Sequence, residues 1–432
     1  MNIKNKIRIL AIETSCDETA AAVISENESG QPVVLSNIIS SQIDLHAKTG
    51  GVVPEVASRA HMEAITPVIA LALLKSQQTT LLNLEKKAKA DNCEIEQFNE
   101  NCNLKIENYQ EAISLLADIT HVAVTNGPGL IGSLLVGFNA AKSIAYAKNI
   151  PFVPINHIEG HIYSAFAEIS NSEFLNPKQV PNAKSQVVNN IQDTIFDIQT
   201  ADFRFPLLAL TVSGGHTSLT LVKDHLKYEN IGHTLDDAAG EAFDKVAKLL
   251  NLGYPGGPAV SKLASKYRKD NQTLRSVPQS IKLIFPRPII NDGTFNFSFS
   301  GLKTAVLLKI KEWLKAGKLK QVQKGEICAA FEEAAVDVLC MKTMKAAAKY
   351  EPKAIILAGG VSANQYLQAE LKKRIDSYNS STLPEDRITF HIPPPEMTGD
   401  NAAMIGLAAY LHIKKGNLGN YQGAKVDSNL HL

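Results

Sequence analysis

Two passages of local grammar each occur twice in this chain, and that repetition limits its folds more than any other feature. Apolar runs of strand length, Ile7–Ile12 and Ala20–Ser25, flank the polar turn Glu13-Thr14-Ser15-Cys16-Asp17-Glu18-Thr19. Much later, Leu207–Val212 and Ser218–Val222 flank Ser213-Gly214-Gly215-His216-Thr217. In the same way His121–Thr125 runs into Asn126-Gly127-Pro128-Gly129 and then a helix. Ala354–Ala358 enters Gly359-Gly360 before a helix that Ser362 is placed to cap. Short apolar runs bounded by turn residues read as strands. Strands alternating with helices, stated twice, predict two α/β lobes facing each other across a cleft. Val33–Ser40 is expected as a third strand, and Ser58–Lys75 as a helix with Pro67 as a kink point.

With 432 residues, 45% of them hydrophobic, the chain can fill two cores. Its 44 Lys+Arg against 43 Asp+Glu leave a net charge of +1, so contact with nucleic acid needs a local basic surface. The five cysteines are scattered and form no CxxC, which fits a reducing compartment and no cysteine zinc site. Met1–Lys6 is too short and polar for a signal peptide. Gly129–Ala147 is broken by Asn139 and Lys142 and reads as a buried helix rather than a membrane span. A soluble, cytoplasmic protein is expected. Ser76–Asp118 and Glu168–Asp202, rich in Asn, Gln, Lys and Glu, read as surface insertions.

The strongest chemical signal is Asn156-His157-Ile158-Glu159-Gly160-His161. Residues i and i+4 of a helix share a face with Cβ atoms roughly 6 Å apart, so His157 and His161 can grip one ion. A third ligand is available in Thr398-Gly399-Asp400-Asn401, where Asp400 stands at a helix start. Two histidines and a carboxylate leave coordination positions open, as catalytic metal sites require. Glycine turns at 213–217, 126–130, 254–258 and 359–364 let backbone N–H groups approach a phosphate. Asp236, Asp237, Glu241 and Asp244 surround a further helix start; Asp244 lies too deep to serve the helix dipole and could accept from ribose hydroxyls.

Together these motifs resemble the universal tRNA threonylcarbamoyladenosine transferase family, once misnamed O-sialoglycoprotein endopeptidase. The likeness covers nearly everything except the two insertions. It rests on 12–19, on Gly50-Gly51-Val52-Val53-Pro54-Glu55 with Ser58-Arg59-Ala60-His61, and on Gly127-Pro128-Gly129-Leu130. It continues through 157–161, 212–217, Asp236–Lys245, Phe297–Thr304, 359–364 and 398–401. The resemblance implies a duplicated actin-like ATPase fold with two lobes around a nucleotide and metal cleft. The expected lobes are 1–155 with 400–432, and 156–399. His157, His161 and Asp400 match the family's metal ligands. Thr211, Val212, Ser213, Gly214, Gly215, Asp244, Gly257 and Asn364 match positions that hold the nucleotide part of the substrate.

The implied reaction moves a threonylcarbamoyl group from threonylcarbamoyl-AMP to N6 of the adenosine 3′ of certain tRNA anticodons. The motif set looks bacterial, which implies an inactive paralogue subunit and a small P-loop ATPase as partners. One divalent ion is expected; the ligand set admits iron or zinc, and iron is expected over zinc. Glu13, at the tip of the first turn, is the candidate proton acceptor. Lys303, Lys309, Lys311, Lys315, Lys318, Lys320 and Lys324 crowd a segment with only Glu312 as an acid and are the candidate tRNA contact. Three rivals are weaker. A zincin has Glu beside the first histidine, where this chain has Ile158. A kinase needs no paired histidines, since Mg²⁺ prefers oxygen. A scaffold paralogue would be expected to lack the metal ligands.

Overall fold

The structure is a computed structural model and describes residues 6–27, 29–77, 106–167, 194–195, 204–273, 283–317 and 320–432. The chain divides into two compact units, Met1–Gln42 with Pro54–Ala201 and Pro394–His431, and Ile43–Val53 with Asp202–Pro393. The second lobe expected from 156 opens later in the structure, since 156–167 group with the first unit. The cause is local: the helix His157–Ser164 packs on the C-terminal helix Ala402–Lys414.

The first unit holds β1 (Arg8–Glu13), β2 (Glu18–Glu26), β3 (Pro32–Ser41), β4 (His121–Gly127), β5 (Phe152–Asn156) and β6 (Thr194–Ile195). Its sheet runs β5-β4-β1-β2-β3-β6. The second holds β7 (Leu207–Val212), β8 (Thr217–Asp224), β9 (Lys227–His233), β10 (Ala354–Ala358) and β11 (Thr389–His391), in the order β11-β10-β7-β8-β9. In both sheets the first strand pairs antiparallel with its hairpin partner and parallel with the strand that leads into a glycine turn. The five-strand pattern is therefore the same, which is the duplicated α/β architecture of the actin-like type that the resemblance implies. β1 and β7 are central and buried almost throughout, hence their unbroken apolar runs.

Pro54–Lys75 is continuous through Pro67, because the carbonyl that loses its partner belongs to exposed Glu63 and can face water. By length and composition this helix could cross a membrane, yet Ile65, Ala70, Leu73 and Leu74 lie in the first unit's core with Leu10, Val124 and Phe138. Part of the first insertion is ordered as the helix Ile106–Leu115, which sets Ala112 into that core. Residues 78–105, and the second insertion apart from Thr194–Ile195, lie outside the described residues. The second core gathers Leu208, Leu210, Phe243, Phe331 and Leu357. Ser362 does not cap the following helix. It falls in a single 3₁₀ turn, and Asn364 caps Gln365–Asn379 by accepting from the Leu367 N–H at 2.9 Å.

Candidate functional site

Strand β5 ends at Asn156, whose side chain caps the helix His157–Ser164 by accepting from the N–H groups of Ile158 (2.8 Å) and Glu159 (3.4 Å). The cap fixes where the helix starts, and the four-residue spacing then sets the two imidazoles edge to face, with ring centroids 4.6 Å apart and planes at 80°. Asp400 precedes Asn401, which caps Ala402–Lys414 in the same manner. Asp400 Oδ1 thereby comes within 3.1 Å of His161 Nε2 and 3.5 Å of His157 Nε2. The three donor atoms all lie within 4.8 Å of one another. Donors bonded to one ion at about 2.0–2.2 Å stand roughly 3–4 Å apart, so the set is close to ready.

Glu13 does not face this triad. Its carboxylate is fully buried behind His157, 3.1 Å from Nδ1, on the side of the ring opposite Nε2. The Ser15 N–H donates to one oxygen, and the Thr125 hydroxyl donates to the other. With both oxygens engaged, Glu13 orients His157 and is not placed to take a proton from a substrate amine. Burial opposes charge on Glu13, but His157 and the hydrogen bonds from His157 and Ser15 outweigh it and lower its pKa. Burial likewise pulls His157 down, yet Asp400 and Glu13 raise it to about 9. His161, lowered chiefly by burial, stays neutral, and neither of its ring nitrogens has a well-formed hydrogen bond. A fully buried imidazole with both nitrogens unspent fits a metal ligand.

The acidic turn is held from beneath. Buried His61 bonds the Thr19 hydroxyl through Nδ1 (2.7 Å) and the Cys16 carbonyl through Nε2 (3.0 Å). Gly129 serves the same end, while Gly127 packs against the C-terminal segment, where a Cβ would meet the Asp427 carbonyl oxygen; neither belongs to an open anion cradle. A Cβ on Gly129 would lie 2.6 Å from the Ser15 carbonyl oxygen, which accepts from the Leu130 N–H at 2.8 Å. His61 belonged to a quoted motif, but its role shows only once the turn is folded over it.

In the second unit the expected nucleotide residues are spread over several elements: residues 211–215 close β7, Asp244 lies in the helix Ala239–Leu250, Gly257 opens the helix Gly256–Thr273, and Asn364 follows β10. Gly359 lies against Val212, Gly240 against Ser213, and Gly256 against Asp244, each so closely that a Cβ would meet its neighbour within about 2.6 Å. By contrast Gly214, Gly215, Gly257 and Gly360 have nothing within 4 Å of a built Cβ. The Thr211 and Ser362 hydroxyls are buried with no hydrogen-bond partner. Ligands of open α/β sheets bind at such strand ends. Asp244 accepts from the Gly256 N–H at 2.7 Å, so it also shapes the loop. Asn364 is committed: beyond its cap it donates to Ser261 Oγ (3.0 Å) and Glu332 Oε1 (2.8 Å).

The sequence profile described as tRNA N6-adenosine threonylcarbamoyltransferase matches residues 33–86, 96–184 and 181–407. A protein of that name from Bacillus subtilis is 38% identical over 98% of this chain and 95% of its own length. Its namesake from Clostridium kluyveri is 39% identical over 95% and 94%. The chain belongs to the tRNA N6-adenosine threonylcarbamoyltransferase family. Likenesses among solved structures are remote. A full-length HypF in its phosphate- and nucleotide-bound form aligns with 94% of this chain and 46% of its own at 12% identity, TM-score 0.48. A ROK family glucokinase from Streptomyces griseus covers 94% and 98% at 11% identity, TM-score 0.37.

In this threonylcarbamoyltransferase family member the position where a zincin carries its general base holds Ile158. Glu159 turns away from the triad and meets His412 Nε2 at 3.1 Å. The lysine segment is less free than its sequence implied. Lys303 reaches Asp237 (3.4 Å), Lys309 pairs with Glu312 (3.0 Å), and Lys324 donates to the Leu250 carbonyl (2.8 Å). Lys311, Lys315 and Lys320 are exposed, while Lys318 lies outside the described residues.

Proposed function

We infer that this chain forms t6A: it transfers a threonylcarbamoyl group from threonylcarbamoyl-AMP to N6 of the adenosine 3′ of the anticodon in tRNAs reading codons that begin with A. The observation that carries this reading is the near full-length match to the family. The geometry supports a mechanism for it. The donor is a mixed anhydride of a carbamate and a phosphate, so its carbonyl is activated, whereas an exocyclic adenine amine is a poor nucleophile. Attack forms the N6–C bond, breaks the C–O bond to phosphate, expels AMP and releases one proton from N6.

His157, His161 and Asp400 would hold one divalent ion, with iron preferred to zinc; such an ion polarises an acyl carbonyl and stabilises the developing oxyanion. Glu13 holds His157 by Nδ1 and so presents Nε2 to the ligand position. Thr211, Val212, Ser213, Gly214, Gly215, Asp244, Gly257 and Asn364 are assigned to the AMP moiety. Open glycines admit the phosphate to backbone N–H groups, and Asn364 acts through the helix it caps. Exposed Lys311, Lys315 and Lys320 are assigned to the tRNA backbone. We further assign the chain to the cytoplasm and to a complex with an inactive paralogue and a small P-loop ATPase.

The test is reconstitution with a threonylcarbamoyl-AMP synthase, the two partners, threonine, bicarbonate, ATP and tRNA, followed by nucleoside mass analysis. Product at the adenosine 3′ of the anticodon supports the reading. Unmodified tRNA from a folded, metal-loaded chain with all partners present contradicts it.

A further inference from the structure

The helix His157–Ser164 carries one carboxylate that the chemistry above leaves unused. Glu159 sits midway between the histidines and, at about 100° per residue, leaves the helix roughly 200° from His157. Its side chain is nonetheless 4% exposed, and both its oxygens lie 3.1 Å from Nε2 of His412. His412 stands in the last turn of Ala402–Lys414, the helix that starts directly after Asp400 and Asn401. One helix thus supplies two of the three donors, and the third, Asp400, stands two residues before the start of the other. The Glu159–His412 contact joins them about twelve residues from Asp400, roughly 18 Å along the helix.

A second contact limits how these helices cross. Gly160 backs onto Met404 and Ile405, where a Cβ would come within 2.8 Å of Ile405 Cδ1. The ligand helix has only eight residues, too few to hold its own orientation without tertiary contacts. Any rolling of it about the Gly160 contact would carry His157 and His161 relative to Asp400. The contact at His412 opposes that rolling.

We propose that Glu159 and His412 are a positioning pair that sets the distance from Asp400 to the two imidazoles. This rests on the metal reading above, and residues that orient ligands from behind typically govern metal affinity by 10–100-fold. Co²⁺ is the probe, read by competition with a chromophoric chelator and by its visible ligand-field spectrum. Wild type is compared with His412→Ala, His412→Gln and Tyr410→Phe. Tyr410 lies on the same helix but donates to Glu26 and the Gly30 carbonyl, so its loss weakens the fold without touching the ligand helix.

The expected result is a 10–100-fold loss of Co²⁺ affinity and an altered spectrum in His412→Ala. His412→Gln, which keeps a donor for Glu159, regains most of both. Tyr410→Phe melts at lower temperature with affinity and spectrum unchanged. If His412→Ala does not fold, His412→Asn, too short to reach Glu159, takes its place. Wild-type affinity and spectrum in the Ala or Asn variant overturn the pair's role, as does an equal loss in Tyr410→Phe. Failure of the wild type to bind Co²⁺ overturns instead the metal reading beneath it.

Discussion

The turn after β1 and the turn after β7 occupy the same place in two copies of one sheet, yet they are finished in opposite ways. In the first, the side chains do the work and are closed in. Glu13 is engaged by Ser15, Thr125 and His157, while His61 and Gly129 seal the turn from behind. In the second, Gly214 and Gly215 offer backbone with open space beyond them. A closed turn fixes the direction of an imidazole. An open one leaves N–H groups for a ligand that arrives with its own charge. The two turns share one frame and differ in burial; on the function proposed above, the closed copy would support a metal and the open copy a nucleotide.

The sharpest break of that contrast is His157→Ala or Asp400→Ala. Each should reduce t6A product below detection by nucleoside mass analysis while circular dichroism stays native, since one donor of a three-donor set is gone. Gly129→Ala should follow, with a loss of roughly 3 kcal/mol in denaturant unfolding, because its Cβ would meet the Ser15 carbonyl oxygen at 2.6 Å and the Ser15 Cβ at 2.9 Å. Glu13→Gln should weaken metal affinity about 10–100-fold with a smaller effect on stability. Gly214→Ala, by contrast, should fold as the wild type does and raise the KM for threonylcarbamoyl-AMP by roughly tenfold, its methyl standing where the phosphate approaches. Equal destabilisation by Gly129→Ala and Gly214→Ala would erase the difference between the turns.

A smaller effect concerns pH. The folded, metal-free His157 titrates at about 9, against an ordinary value of 6.5. A raised folded pKa gives stability that is complete below about 6.5 and fades as pH climbs through 9. The melting temperature of the metal-free protein should therefore fall between pH 6.5 and 9. Calorimetry in the same window should detect proton release on metal uptake, because a histidine ligand must be neutral. A flat profile for the metal-free protein would mean that His157 is not held between two carboxylates.

The paired histidines and distant aspartate were legible because helical spacing alone puts His157 and His161 on one face, and a capping pattern marks the helix start behind Asp400. The duplicated frame was legible from its central strands, which are buried on both faces. Edge strands were not. β5 carries Pro154, which argues against a strand but is tolerated at a sheet edge, and β9 is charged because it is exposed. The role of Glu13 was misread because sequence places a carboxylate on a turn without saying which way the turn closes. Nor can sequence tell a glycine needed for packing, such as Gly129, from one facing open space, such as Gly214. Both answers depend on what the remote chain brings alongside.

Whether His157, His161 and Asp400 share one ion decides the chemistry of this chain. Diffraction from metal-loaded crystals, collected on both sides of the metal's absorption edge, decides it. The predicted result is a single anomalous peak per chain about 2.0–2.2 Å from His157 Nε2, His161 Nε2 and an Asp400 oxygen. A peak bound elsewhere, or none at these residues under saturating metal, would contradict it.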